Sequence, residues 1–88
     1  MELILDGHLI KDKESLFKTL KSQINSEEFY GNNLDALWDV LSSYQGEIKI
    51  TVRNVDKLRN NLGEYADSLL ELIKDLKEIN CGIAIQVN

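Results

Sequence analysis

The chain has 88 residues, of which 43% are hydrophobic and 28% charged, and its formal net charge at pH 7 is −5. This length favours a single domain with one modest core, since chains divide into several domains only when they are considerably longer. The negative charge argues against binding to nucleic acid through its phosphates or to an anionic membrane surface, whereas it permits a cationic partner.

Three further features predict a cytoplasmic protein. No apolar run approaches the roughly 18 residues that could span a bilayer. No basic-then-apolar leader follows Met1, because a strand-like stretch begins at once. Cys81 is the only cysteine, so an intramolecular disulfide is excluded and a reducing compartment is indicated.

The hydropathy pattern and the helix-breaking residues predict three strands and four helices. In chain order these are a strand at 3–5, a helix capped by Asp12 and ended by Asn25-Ser26, a helix from 34 to about 43 capped by Asn33, a strand at 48–52, a short helix at 56–61, a long helix at 64–79 and a strand at 83–87. Helices between strands imply right-handed crossovers and parallel pairing. Polar residues in the strands (Lys49, Thr51 and Gln86) indicate that one sheet face is lightly covered. We therefore expect a small two-layer α/β domain, with a three-stranded parallel sheet and helices packed mainly on one face.

The net charge is concentrated in one segment, residues 27–48. Residues 1–26 contain four acids and four bases, and residues 49–88 contain six of each, so both flanks are neutral. The segment between them has five acids and no Lys or Arg: Glu27, Glu28, Asp35, Asp39 and Glu47. A localised negative field of this kind can steer a basic partner and accelerate its association.

The predicted helix that begins at Leu34 carries two acids on its exposed face. Leu34, Leu37, Trp38 and Leu41 span an apolar stripe of about 100°. Asp35 and Asp39 lie on the opposite side with Ala36, Ser42 and Ser43. This face is either an ordinary solvated surface or a partner-binding one. The aromatic residues Tyr30, Trp38 and Tyr44 and the polar loop at 31–33 favour binding, because Tyr and Trp are typical of interface hot spots, although the aromatics are also consistent with core packing.

Residues 29–39, Phe-Tyr-Gly-Asn-Asn-Leu-Asp-Ala-Leu-Trp-Asp, closely resemble the signature of the barstar family, which are intracellular inhibitors of barnase-type ribonucleases. The order of predicted elements is similar over essentially the whole chain. The Leu-Asp-Gly at 5–7 and the Cys-Gly-Ile-Ala-Ile at 81–85 also agree in register.

The resemblance implies a 1:1 inhibitor of a basic extracellular ribonuclease, monomeric when free. Asp39 would replace an RNA phosphate in the active site, and Asp35 would bind a basic side chain and backbone at its rim. The other expected contacts come from the same helix, its preceding loop and the long helix: Phe29, Tyr30, Gly31, Asn33, Leu34, Trp38, Ser42, Tyr44 and Asp75.

Several positions depart from the family pattern. Phe29 stands where a tyrosine is common, Tyr44 replaces a tryptophan and Val40 replaces a cysteine. Asp75 falls where the family often has a longer glutamate, and Ile79 where another acid is common. The resemblance therefore implies the role of Asp39, whereas the second acidic contact and the matching surface of the ribonuclease are expected to differ from the family pattern.

Other kinds of site have little support in the sequence. Asp35 and Asp39 could form an acid–base pair, but no nucleophile accompanies them. His8 and Cys81 are single and distant metal ligands, and the glycines form no phosphate-binding loop. We therefore predict no enzyme, no catalytic residue, no cofactor, no metal and no direct nucleic-acid binding. The alternative function is a module of the same fold that recognises a different basic protein, such as another nuclease toxin.

Overall fold

The computed structural model describes residues 1–24, 29, 31–80 and 82–88. In this part of the chain three strands are separated by two pairs of helices. Their bounds are β1 Glu2–Asp6, α1 Lys13–Gln23, α2 Leu34–Ser43, β2 Ile48–Arg53, α3 Val55–Leu62, α4 Glu64–Ile79 and β3 Ile83–Val87. The predicted elements are confirmed, with β1 and α3 one residue longer at each end and β2 one residue longer at its C-terminal end. The proposed helix stop at Asn25-Ser26 lies outside the described residues; α1 ends at Gln23 and is followed by Ile24 as its C-cap. No helix in the described part of the chain is long and apolar enough to cross a membrane.

Side chains at two helix starts explain where those helices begin. The Asp12 carboxylate accepts a hydrogen bond from the Ser15 backbone N–H at 2.8 Å, and the Ser15 hydroxyl oxygen accepts one from the Asp12 N–H at 3.0 Å. This reciprocal pair satisfies two donors that the first turn of α1 leaves without helical partners. Asn33 caps α2 through a 2.8 Å bond from the Ala36 N–H to its Oδ1. Both caps were predicted from the sequence.

The strands form a parallel sheet in the order β1-β2-β3. Leu3 pairs with Ile50, which pairs in turn with Ile85, and this register places apolar residues in rows on one face. Crossovers between parallel strands are right-handed, and here both lead to the next strand in the same direction across the sheet. The connecting helices therefore lie on the same face of the sheet. The expected two-layer α/β arrangement is confirmed.

Thr51 differs from the simple alternation of the sheet. It lies on the lightly covered face, yet only 7% of its surface is exposed. Its neighbours in register are Ile4 on β1 and Gln86 on β3, so a residue of the central strand is shielded from both sides. Central position in the sheet, which the sequence does not reveal directly, accounts for this burial.

The core lies between the buried sheet face and the helices. β1 and β2 contribute Leu3, Leu5, Ile48, Ile50 and Val52; α1 contributes Leu16, Phe17 and Leu20; α2 contributes Leu37, Val40 and Leu41; α4 contributes Ala66, Leu69, Ile73 and Leu76. Each fully buried leucine or isoleucine contributes about 1.5–3 kcal/mol relative to an exposed one. α2 is therefore anchored along one face by the core, which fixes the direction of its opposite face.

Candidate partner-binding surface

The start of α2 and the loop before it are held by close packing. A Cβ added to Gly31 would lie 2.5 Å from the Ala36 Cβ, so the loop backbone runs against the first turn of the helix. The Asn33 side chain bonds to the Ala36 N–H in the same turn. Together these contacts set the position of the polar loop relative to the exposed face of α2.

The two aspartates of α2 point away from the core. Asp35 and Asp39 are exposed, whereas Leu37 and Leu41 are 1% exposed. Within the described part of the chain, no basic side chain lies within salt-bridge distance of either carboxylate, and the ion pair found there joins Arg59 to Asp67. The aspartates lie four positions apart, where like charges on a helix repel by about 0.2–0.5 kcal/mol. Asp35 and Asp39 are thus both exposed on α2, with no ion-pair partner among the residues that the structure describes.

The serines at the end of α2 do not neutralise these acids. The Ser43 hydroxyl donates to the Asp39 backbone carbonyl at 2.6 Å, and the half-buried Ser42 hydroxyl donates more weakly to the same oxygen at 3.4 Å. Both hydroxyls therefore bond back to the helix rather than to the Asp39 carboxylate. Within the described residues that carboxylate accepts no hydrogen bond and is free to receive one from a partner.

A groove between α2 and α4 extends the acidic face. It has a volume of about 280 Å³ and is lined by Asp35, Trp38, Ser68, Glu71, Leu72 and Asp75. Asp75, the predicted contact on the long helix, therefore shares a surface with Asp35 and Trp38. Sequence reasoning missed Glu71 and Ser68, because Glu71 resembled part of an ordinary solvated face. The spacing of the two acids could have indicated Glu71, because it precedes Asp75 by one helical turn and therefore lies on the same side of α4.

The composition of this groove suits a long basic side chain. Trp38 and Leu72 are half-buried and offer apolar surface to an aliphatic stem, and the Trp38 ring can also attract a cation. The carboxylates of Asp35, Glu71 and Asp75 would surround the charged end. Among the described residues, no group of three or more potential ligands could hold a metal ion.

Phe29 is placed in the core rather than at the surface. Its side chain is 6% exposed, and its ring packs edge-on against Phe17 with centroids 6.5 Å apart. A phenyl ring has no hydroxyl that must reach a hydrogen-bond partner, so its burial leaves no polar group unsatisfied. Any contact of Phe29 with a partner would therefore involve its backbone more than its ring.

The remaining predicted contact residues lie along α2 and its ends. Leu34, Trp38 and Tyr44 are half-buried and pack against the core with part of their surface free. The Tyr44 ring lies against Gly46, where an added Cβ would be 3.3 Å from Cε1. Tyr30 lies outside the described residues, as do the acids Glu27 and Glu28 and the single cysteine, Cys81.

The acids whose pKa is lowered lie on other parts of the fold and stabilise turns. A backbone hydrogen bond from His8 and a side-chain bond from Asn54 hold the pKa of Asp6 below its usual value. The bonds from the Ser15 backbone and hydroxyl lower the pKa of Asp12 in the same way. Both are carboxylates that accept local hydrogen bonds, which favours their charged form.

Two comparisons with known proteins show what this chain is similar to. The family model described as barstar (barnase inhibitor) matches residues 1–87 of the chain. A Bacillus subtilis (strain 168) protein named "Putative ribonuclease inhibitor YrdF" is 35% identical over 78 residues, which cover 88% of this chain and 86% of that relative.

Proposed function

This chain belongs to the barstar family, and we propose that it inhibits a basic ribonuclease of the barnase type by covering its active site. The observation that carries the proposal is the unpaired acidic face of α2, which continues into the groove beside α4. Family membership implies an inhibitor rather than an enzyme. The proposed complex is 1:1 and forms inside the cell that makes the inhibitor, protecting it from the ribonuclease.

Asp39 is the residue proposed to replace an RNA phosphate. A ribonuclease site that binds phosphate presents clustered cationic donors, to which a carboxylate forms strong, short hydrogen bonds. The core anchors α2 through Leu37, Val40 and Leu41, so the carboxylate is delivered on a rigid element. Little conformational freedom is then lost on binding, which favours affinity.

Asp35 and the groove are proposed to hold a second basic group at the rim of the same active site. Asp35 lines the groove together with Glu71 and Asp75, and the described residues place no base against them. An arginine or lysine of the ribonuclease would extend along Trp38 and end among these carboxylates. The surface would thus engage two separate cationic features of one partner, which adds specificity as well as affinity.

Titration into a barnase-type ribonuclease tests the proposal. Cleavage of a fluorogenic RNA substrate should fall linearly with added inhibitor and reach its minimum at one equivalent. Asp39→Asn preserves the shape of the side chain and should shift the titration to much higher concentration. Unchanged RNA cleavage at a large excess of the wild-type protein would rule out this class of partner.

A second candidate is a barstar-like module that binds a different basic protein, such as another nuclease toxin. Ile79 favours this candidate, because it is 61% exposed at a position where the family commonly carries an acid. Ile79 lies one helical turn beyond Asp75 and would offer an apolar contact instead of a charge. Binding of a basic toxin without loss of barnase-type activity would support this alternative.

A further inference from the structure

Lys21 makes two contacts with the loop that precedes α2. Its Nζ donates a hydrogen bond to Asn32 Oδ1 at 2.5 Å, and the same Nζ lies 5.9 Å from the centroid of the Phe29 ring. Lys21 lies in the last turn of α1, so these contacts join the end of one helix to the entry of the next. The lysine thus contacts the loop on both sides of residue 30.

The position of Asn32 makes this contact consequential for the acidic face. Asn32 immediately precedes Asn33, whose side chain caps α2 at Ala36. The cap holds one end of the segment, and the buried Phe29 ring holds the other. Lys21 bonds to the exposed residue between them, Asn32, whose side chain has no other hydrogen bond among the described residues.

The charge of Lys21 is unfavourable for the proposed partner. A cation at the border of an acidic surface repels a basic ribonuclease and weakens the steering field. Simple electrostatics therefore predicts that removal of Lys21 would accelerate association. A role in holding the loop predicts, in addition, a complex that dissociates faster, because an unordered loop must be ordered on binding.

We propose that Lys21 is a positioning residue, which holds the loop at 31–33 in its partner-binding conformation through Asn32 and Phe29. This inference rests on the proposed function for its effect on affinity. Its effect on the free protein does not depend on any partner. The two can therefore be tested separately.

Lys18 provides a matched control. It lies three positions earlier on α1 and lines the same surface groove as Lys21 and Asn32. In the described part of the chain it makes no hydrogen bond to the loop. Lys18→Met and Lys21→Met each remove one positive charge from this surface of α1. Only Lys21→Met also removes the contact with Asn32.

The first measurement is amide hydrogen exchange in the free protein. Lys21→Met should accelerate exchange of the Ala36 N–H, which is bonded to the Asn33 cap, and raise the mobility of Asn32 measured by NMR relaxation. Lys18→Met should change neither, and Lys21→Arg, which retains a donor and a cation, should restore both. Unchanged exchange and relaxation in Lys21→Met would overturn the proposal, whatever the partner proves to be.

The second measurement is binding kinetics with the ribonuclease. Lys18→Met should raise the association rate and leave dissociation unchanged. Lys21→Met should raise the association rate similarly but increase the dissociation rate by roughly threefold to tenfold, the effect of losing one solvent-exposed hydrogen bond of ordinary strength. A dissociation rate unchanged in Lys21→Met would contradict the positioning role. Failure of the wild-type protein to bind would refute the proposed function alone, and the exchange result would then decide the role of Lys21.

A double-mutant cycle with Asn32→Ala separates positioning from direct contact. If Lys21 acts through Asn32, Lys21→Met should have little further effect on dissociation in the Asn32→Ala background, since the shared interaction is already lost. Fully additive effects would mean that Lys21 contacts the partner itself, and the proposal would be wrong.

Discussion

Replacing Asp39 by alanine should move stability and inhibition in opposite directions. In the free protein the Asp39 carboxylate is exposed and, within the described residues, has neither an ion-pair partner nor a hydrogen bond. Its removal relieves repulsion from Asp35, worth about 0.2–0.5 kcal/mol, and alanine is a better helix former by up to about 0.7 kcal/mol. We expect the free energy of unfolding to rise by about 0.5–1 kcal/mol, with an increase of a few degrees in Tm.

The complex should respond far more strongly. Truncating one member of a buried, hydrogen-bonded charge pair costs roughly 2–5 kcal/mol or more, a range to which barstar complexes themselves contributed. This corresponds to a roughly 30-fold to several-thousand-fold increase in Kd. Most of the loss should appear as faster dissociation, because the contact forms only after docking.

Thermal unfolding of the free protein and stopped-flow kinetics with the ribonuclease test both halves of this prediction. Asp56→Ala, on α3 and outside the acidic groove, removes an equal charge and, of the two rate constants, should change only that of association, by less than about twofold at physiological salt. A loss below about 1 kcal/mol for Asp39→Ala would refute its role as the phosphate mimic. A fall in stability would refute the conclusion that its carboxylate has no structural partner.

Three further predictions concern the groove, the loop and the helix cap. Asp75→Lys should weaken binding of the ribonuclease and leave thermal stability nearly unchanged, since the Asp75 side chain is exposed in the acidic groove. An affinity equal to that of the wild type, measured by calorimetry, would mean that Asp75 does not contact the partner. Gly31→Ala should cost about 1 kcal/mol or more of binding free energy, because the new Cβ would overlap that of Ala36. Adding Ala36→Gly to the same chain should restore inhibition, although it lowers the stability of the helix. Folding lowers the pKa values of Asp6 and Asp12, so their charged forms stabilise the folded state. This stabilisation is complete above pH 3.8, the ordinary pKa, and is lost as the pH falls through the lower pKa values of the folded protein. Denaturant unfolding between pH 6 and pH 2 should show this decline, and Asp12→Ala should flatten it; an identical pH profile in that variant would contradict the assignment.

The helices and strands could be predicted because local signals and burial agreed along the chain. Asn33 has both the side chain that caps a helix and a following apolar stripe, so the start of α2 was predicted at the residue where it occurs. The parallel sheet followed from the alternation of strands with helices. These features depend on neighbours within one or two turns, which a sequence shows directly.

The groove could not be predicted in the same way, because it exists only where α2 packs on α4. Asp35 and Glu71 are 36 positions apart in sequence, and nothing local to either residue indicates that they share a surface. The family resemblance indicated Asp75 but gave no reason to choose Glu71. Phe29 shows the opposite difficulty: its place in the contact was carried over from the family pattern, whereas its own ring chemistry favours the core.

The acidic face of α2 is also a source of strain in the free protein. Asp35 and Asp39 repel one another, and a lysine in place of the exposed Ser43, one turn beyond Asp39, would ease this at little cost to folding. The groove adds Glu71 and Asp75 to the same surface, and no base of the described chain lies against them. A cationic partner of the proposed kind would relieve this repulsion on docking, so part of the binding free energy would come from repulsion present in the unbound protein. On the proposed function, the same acids would weaken the isolated fold slightly and strengthen the complex considerably, which is the pattern expected of residues that serve binding.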